Sequence, residues 1–352
     1  MATFKRPNGI FVSNGEVYIT DSFNHRVRKV LRNGQIVTIC GTGIQGYNGD
    51  GQLATNAQLN RPHSVVVSSS DQVYISERNR IRKIDRHGII STIAGTEEVE
   101  YSGYNGDDQL AVNAQVFNPC GLFVTEDEQI LFADNLNHRV RKIDRYGIIS
   151  TIAGNGQRGF TGDGGLATSA SIDFPTDVFQ YKNEIYIADS YRIRKIDQNG
   201  TISTIAGNGD VNFCPNSIFV HNDEVYFTTN RHILCKILPN GMTKTVAGID
   251  NEGGFNGDDM LAIECKLLAP KGIFIDSDSQ VYIVDSFLPR IRKIDRNGMM
   301  RAVIGTGQNG YSGDVPFDFQ QYPHIGPRKK STIKSFPHAY HDLIVTCENK
   351  NM

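Results

Sequence analysis

Residues 119 to 156, PCGLFVTEDEQILFADNLNHRVRKIDRYGIISTIAGNG, recur in altered form from the start of the chain almost to its end, and this repetition constrains the fold more than any other feature. Within the stretch, GLFVT and QILFAD are short apolar runs split by the polar turn Glu126-Asp127-Glu128. HRVRKID and IISTIAG are two more, split at Tyr146-Gly147. Each copy therefore reads as four short strands joined by tight turns. The copies open at Pro7, Pro62, Pro119, Pro175, Pro215 and Pro270, at intervals of 55, 57, 56, 40 and 55 residues.

Four antiparallel strands cannot bury both of their faces alone, whereas six such units arranged radially bury each face against a neighbour. The expected fold is all-β: a six-bladed β-propeller of four-stranded antiparallel blades over residues 1–306, followed by a short tail at 307–352. The tail holds one candidate strand, DLIVTC, to dock on an outer edge or pair with blade 1. Each copy supplies its own fourth strand, MMRAVIG in blade 6, so closure should need no strand from the N-terminus.

The residues also carry a family resemblance. Pro-x-Gly-(Ile/Leu)-Phe-Val, VYI(A/T)DS, NHRVRKID and ISTIAGNG resemble NHL repeats across residues 5 to 305, and Asn24-His25-Arg26-Val27-Arg28-Lys29 and Asn137-His138-Arg139-Val140-Arg141-Lys142 match the pattern over consecutive positions. The resemblance implies a propeller and a habit of binding rather than a reaction, since one fold hosts many functions. No RING, B-box or coiled-coil stretch stands before the repeats in this sequence, so the ligase role of some relatives is not expected of it.

One propeller accounts for most of the 352 residues, and no second large domain is expected. A net charge of -2 argues against indiscriminate polyanion binding while leaving room for a local basic patch. The six cysteines show no Cys-x-x-Cys, and Cys40 stands where other copies carry Ala94, Ala153, Ala206 and Ala247, so reduced thiols are expected. MATFKRPNGIFV runs straight into the first repeat and no stretch approaches a membrane span. A cytoplasmic monomer away from any membrane is the expectation.

Asn14-Gly15 suits a type I′ hairpin, and the second hairpin carries a glycine in every copy: Gly34, Gly88, Gly147, Gly200, Gly241 and Gly298, expected to hold positive φ. Between copies lie insertions of the type GYNGDGQLATNAQL, with a truncated GYSGD at Gly310–Asp314. Asp50, Asp107, Asp163, Asp258 and Asp314 suggest a calcium loop, but each copy offers too few carboxylates for 6 to 8 oxygen ligands. The preferred reading has each aspartate cap a short helical turn, with Leu53, Ala54 and Ala57 on one face and Tyr47 or Phe160 pinning the loop. Blade 4 runs into blade 5 with no insertion. Blade 5 is degenerate, with Ile233 and Cys235 replacing the paired arginines. In the tail, His338, His341 and Cys347 fall short of a zinc ligand set, and no metal or cofactor is expected.

The inter-blade insertions and the residues after each opening proline gather at one end of the propeller, and near-identical hairpin turns at the other. The former end is the expected ligand face. Asp21, Asp134, Asp189 and Asp285 recur with Arg26, Arg139, Arg192 and Arg290, which reads as structural charge pairing. The residues that vary between copies form the candidate binding ring: Asn8, His63, Cys120, Thr176, Asn216 and Lys271, with Asp177 beside them.

Three function classes follow. A non-enzymatic binding or scaffold module for a protein or peptide fits best. A propeller hydrolase or lyase holding a metal over the central channel would need convergent His, Glu, Asp or Asn side chains on the inner strands. Those strands are apolar, and only His221 and Asp276 stand out, both near the hairpin end. Single-stranded RNA binding would use Arg26, Arg78, Arg80, Arg139, Arg192, Arg231 and Lys271 with Tyr191, Phe23 and Phe287, opposed by the recurrent aspartates.

Overall fold

A computed structural model describes residues 2–96, 103–210 and 213–315. The candidate tail strand and His338, His341 and Cys347 lie outside the described residues. Six antiparallel sheets follow the six copies. Blade 3 is representative, with strands Pro119–Val124, Ile130–Asp134, Arg139–Ile143 and Ile148–Ala153 running from the channel outward. The inner strands touch their neighbours all the way round, blade 6 against blade 1 included, so the ring is closed.

Local chemistry explains the hairpins. Asn14 and Gly15 both hold positive φ, at 51° and 74°, as a type I′ turn requires. Gly147 sits at φ 80° in the second hairpin of blade 3, and Asp144 accepts hydrogen bonds from the Tyr146 and Ile148 amides. His221 and Asp276 serve the same end of the molecule: His221 meets Ser279, and Asp276 accepts from the Asp278 and Gln280 amides.

Each seam between blades is packed by aliphatic side chains from two sheets, as where Val37 and Ile39 of blade 1 meet Val65 and Ile75 of blade 2. Toward the hairpin end of the channel, Phe123, Phe179, Phe219, Phe274 and Phe11 follow one another from blade to blade with ring centroids 4.6–5.3 Å apart. They close much of the channel floor with apolar surface.

The insertions attach to the blade that follows them. Gln109–Leu110 and Met260–Leu261 add a fifth strand outside blades 3 and 6, while Leu53 bridges Ile89 of blade 2 and Leu166 bridges Thr201 of blade 4. Each then makes a 3-10 turn whose alanine is buried: Ala54, Ala111, Ala167 and Ala262. The expected aspartate cap is absent; the cap position belongs to Leu53 and its equivalents, with no side-chain bond. Leu53 itself is 42% exposed, so only the alanines of the expected apolar face point inward.

Closure uses the same device, split between the two ends of the described chain. Asp314 bridges Ile36 on the outer strand of blade 1, Thr3 bridges Ser312, and Phe4 bridges Asn309. Ala2 and Phe4 are buried in the seam between blades 6 and 1. Among the described residues no strand is borrowed from the N-terminus, but residues 2–4 complete the last insertion.

Candidate functional site

The repeated motif residues turn out to be anchors for the insertions. Asp21 accepts from Arg28, not Arg26, at 3.3 Å, and also from Asn24 and the Lys5 amide. Glu77 meets Arg82 at 3.0 Å and Asp134 meets Arg141 at 3.5 Å, while the gap widens to 3.9 Å at Asp189 and Arg194. The partner therefore lies two residues further along the third strand than expected. Arg26 lies opposite Asp21 in the backbone register, but it is the Arg28 side chain that rises into the seam.

The buried arginine in each of five blades holds a carboxylate from the insertion. Arg82 donates to Asp50, Arg141 to Asp107, Arg194 to Asp163, Arg292 to Asp258 and Arg28 to Asp314, at 2.5–2.9 Å. Burial works against ionisation of Asp50, Asp107 and Asp163, but the arginine and a threonine beside each carboxyl bring its pKa below the ordinary value. The insertion aspartates are thus committed to guanidinium groups. Among the described residues, no three His, Cys, Asp or Glu side chains gather as a metal ion would need.

The rest of the Asn-His-Arg motif completes the anchorage. Asn137 donates to Asp134 and to the Gly103 carbonyl of the insertion. His25 and His138 sit in the left-handed region, and their Nδ1 atoms accept from the Arg61 and Phe174 amides, just ahead of the next blade's proline. The first arginine of the motif stacks on the insertion's aromatic ring: Arg26 on Tyr311, Arg80 on Tyr47, Arg139 on Tyr104, Arg192 on Phe160 and Arg290 on Phe255, with centroid distances of 3.6–4.6 Å. Tyr104, Phe160, Phe255 and Tyr311 remain 38–50% exposed.

The varied ring lies lower than a loop site, on the channel wall. Asn8, His63, Thr176, Asp177, Asn216 and Lys271 are half-buried, and Cys120 is buried. Lys271 Nζ donates to Asn216 Oδ1 at 2.7 Å, and Asn216 Nδ2 donates to the Pro270 carbonyl. Thr176 donates to the Pro215 carbonyl of the next blade. Asp177 accepts from Ser217 Oγ and the Ile218 and Val178 amides, and its carboxyl fills the space that Gly121 leaves by lacking a Cβ. Burial pushes Asp177 up to about 6 and the Cys120 thiol up to about 12. Burial also lowers the pKa of Lys271, opposed by the nearby Cys120 and Cys214 thiols. Of the cations considered for RNA, Arg26, Arg80, Arg139 and Arg192 are stacked as above, and Arg231 pairs with Asp250. Phe23 lies between Arg6 and Arg61.

His63 offers a direct check on the channel. Burial first, and Lys271 second, depress its pKa from 6.5 to about 4. A histidine depressed in this way favours folding while neutral. Its contribution is present above pH 6.5 and is lost as the pH falls from there toward 4. Relative to His63→Gln, the wild type is expected to lose about 1–3 kcal/mol of stability between about pH 7 and about pH 4.5 in denaturant melts. A difference that stays constant with pH would show that the imidazole is not desolvated in the fold.

Comparison with known proteins agrees with this architecture. A teneurin NHL domain model matches residues 40–103 and 241–318, and an NHL repeat model matches residues 4–30. Teneurin-4 of Homo sapiens is 26% identical over 356 residues, covering 92% of this chain and 11% of its own length. NHL repeat-containing protein 2 of Homo sapiens is 25% identical over 263 residues, covering 63% of this chain and 35% of its own. The chain thus spans about a tenth of the teneurin and about a third of the second relative. Among solved structures, the virginiamycin B lyase of Staphylococcus aureus superposes with a TM-score of 0.53 at 16% identity, over 90% of this chain and 86% of that one, a likeness of fold alone. With six copies of the motif, family models that match within them and a closed ring of six blades, the chain is an NHL-repeat β-propeller.

Proposed function

We propose that the protein is a non-enzymatic binding module that recognises a protein or peptide on the end carrying the inter-blade insertions. The observation that carries this reading is the rim of five arginine–aromatic stacks, four of whose rings stay 38–50% exposed. Arginine and aromatic residues dominate protein-interface hot spots. A guanidinium already stacked and hydrogen-bonded also loses little freedom on binding. Within that rim, Asn8, His63, Thr176, Asp177, Asn216 and Lys271 line the channel mouth, where they would meet a side chain of the partner that enters it. The Phe11, Phe123, Phe179, Phe219 and Phe274 floor beneath them favours occlusion over passage. A cytoplasmic setting is also proposed, supported by Cys40 and Cys265, which pack as small core residues where other copies carry alanine.

The test compares partners captured from a cell extract by immobilised wild-type protein and by a Tyr104→Ser, Phe160→Ser, Phe255→Ser variant. Tyr146→Ser serves as the control, since that ring is 69% exposed at the hairpin end. The triple variant is expected to lose about tenfold or more in retention of the captured partner, and the control none. Loss in the control alone would put the site on the opposite end. Turnover of a lactone or lyase substrate by the purified protein would move the assignment to the enzyme class.

A further inference from the structure

Blade 5 differs from the other five at its outer edge, and the differences are correlated. It lacks the insertion before it, the buried arginine is Cys235, and the carboxylate at the end of the second strand is Thr229. An arginine buried there would have neither of its usual carboxylates, so the three losses belong together. In the other blades, the residue facing the insertion from the outer strand is buried and aliphatic: Ile36, Ile90, Ile149, Ile202 and Met300. Its backbone bonds the insertion, as Ile90 and Ile202 do through both N–H and C=O. The equivalent in blade 5 is Thr243. It is exposed, and among the described residues no backbone bond reaches it from outside its own sheet.

The seam beside this edge is open. A groove of about 610 Å³ runs between the outer strand of blade 4 and the second hairpin of blade 5, bordered by Ile205, Ala206, Phe213, Met242 and Thr243. Elsewhere the same space holds two small side chains three residues apart: Ala54 and Ala57, Ala111 and Ala114, Ala167 and Ala170, or Ala262 and Cys265, all at most 3% exposed. A larger side chain follows them, Leu59, Val116, Ile172 or Leu267. Phe213 already fills that last place in blade 5, packing against Gly207 and Phe227. What is missing is an extended stretch followed by small-x-x-small.

We propose that this groove is a second docking site, which takes an extended segment of a partner protein as an added strand on Thr243–Ala247, with two alanine-sized side chains three apart in the groove. Main-chain hydrogen bonds to Thr243 would supply affinity, and the size of the groove its selectivity. Four covered edges in the same molecule show which chemistry fits. That the occupant is a separable partner, rather than a permanent cover, follows from the edge itself. Thr243 tolerates water when the groove is empty, as a partly vacant edge strand must, whereas its permanently covered counterparts Ile36, Ile90, Ile149, Ile202 and Met300 are apolar and buried.

The probe is a labelled peptide copying residues 48–58, NGDGQLATNAQ, with Asp50→Asn because Cys235 offers that carboxylate no cation. Added to the full-length chain, it is expected to bind saturably below about 1 mM and to slow hydrogen exchange at the Thr243 amide. Thr243→Pro, which removes the outward N–H and fixes φ on the edge strand, is expected to weaken binding by about tenfold. No saturation by about 1 mM, equal affinity for Thr243→Pro, or protection on another blade would overturn the proposal. Protection of the Thr243 amide before any peptide is added would assign the groove to the chain's own residues 316–352 and overturn the partner reading. Should Thr243→Pro melt early, the exchange measurement on the wild type decides alone.

Discussion

Alanine at Arg141 is expected to cost about 3–5 kcal/mol of stability, because removing one partner of a fully buried ion pair strands the other. Arg141 and Asp134 are both fully buried, and the same guanidinium holds Asp107 and the Gln115 and Gly106 carbonyls. Its loss leaves a carboxylate without a cation in a closed seam and releases the insertion from blade 3. Arg139→Ala removes a stack on Tyr104 at the surface and should cost about 1 kcal/mol. Denaturant melts of the two variants check this directly. Equal losses would mean that the buried arginine does not join insertion to blade.

The second large effect is expected at Gly154, which follows the outer strand of blade 3 at φ 92°, with space for a Cβ only 2.4 Å from the His138 carbonyl oxygen. Gly154→Ala therefore meets both backbone strain and a backbone clash, and about 2–4 kcal/mol is expected. Gly147, at φ 80° with nothing within 4 Å of the same position, faces strain alone. Gly147→Ala should cost about 1 kcal/mol and Gly147→Val about 1–3. Thermal melts that rank Gly147→Ala below Gly154→Ala would contradict the close approach of the third strand to the end of the fourth.

The blades were legible in the sequence because a strand pair leaves its period and its turn residues within a few positions of each other. The insertions were not, because their partners lie far along the chain: Asp50 meets Arg82, and Asp314 meets Arg28. A period of two tells which residues share a sheet face, but not which face meets a neighbouring blade. In sequence the insertion aspartates therefore look like caps, and Asp21 and Asp134 look like partners of Arg26 and Arg139 rather than of Arg28 and Arg141. The loss of the insertion before blade 5 and of its arginine were both visible as sequence changes. Their common cause, a buried cation that holds the insertion's carboxylate, required the seam. For the ring, position alone placed Asn8, His63, Thr176, Asn216 and Lys271 around one opening. Polar residues on a channel wall and on a solvated loop look alike in sequence, so the bond from Lys271 to Asn216 and the inter-blade bonds of Asp177 emerge only in three dimensions.

The most direct test of the binding-face account is amide hydrogen exchange on the protein alone and in complex with the partner it retains. The account predicts slowed exchange in the insertions around Tyr104, Phe160 and Phe255 and at the channel-mouth residues His63 and Lys271. Slowed exchange confined to the hairpin turns at Asn33, Tyr146 and Asn297, with the insertions unchanged, would contradict it.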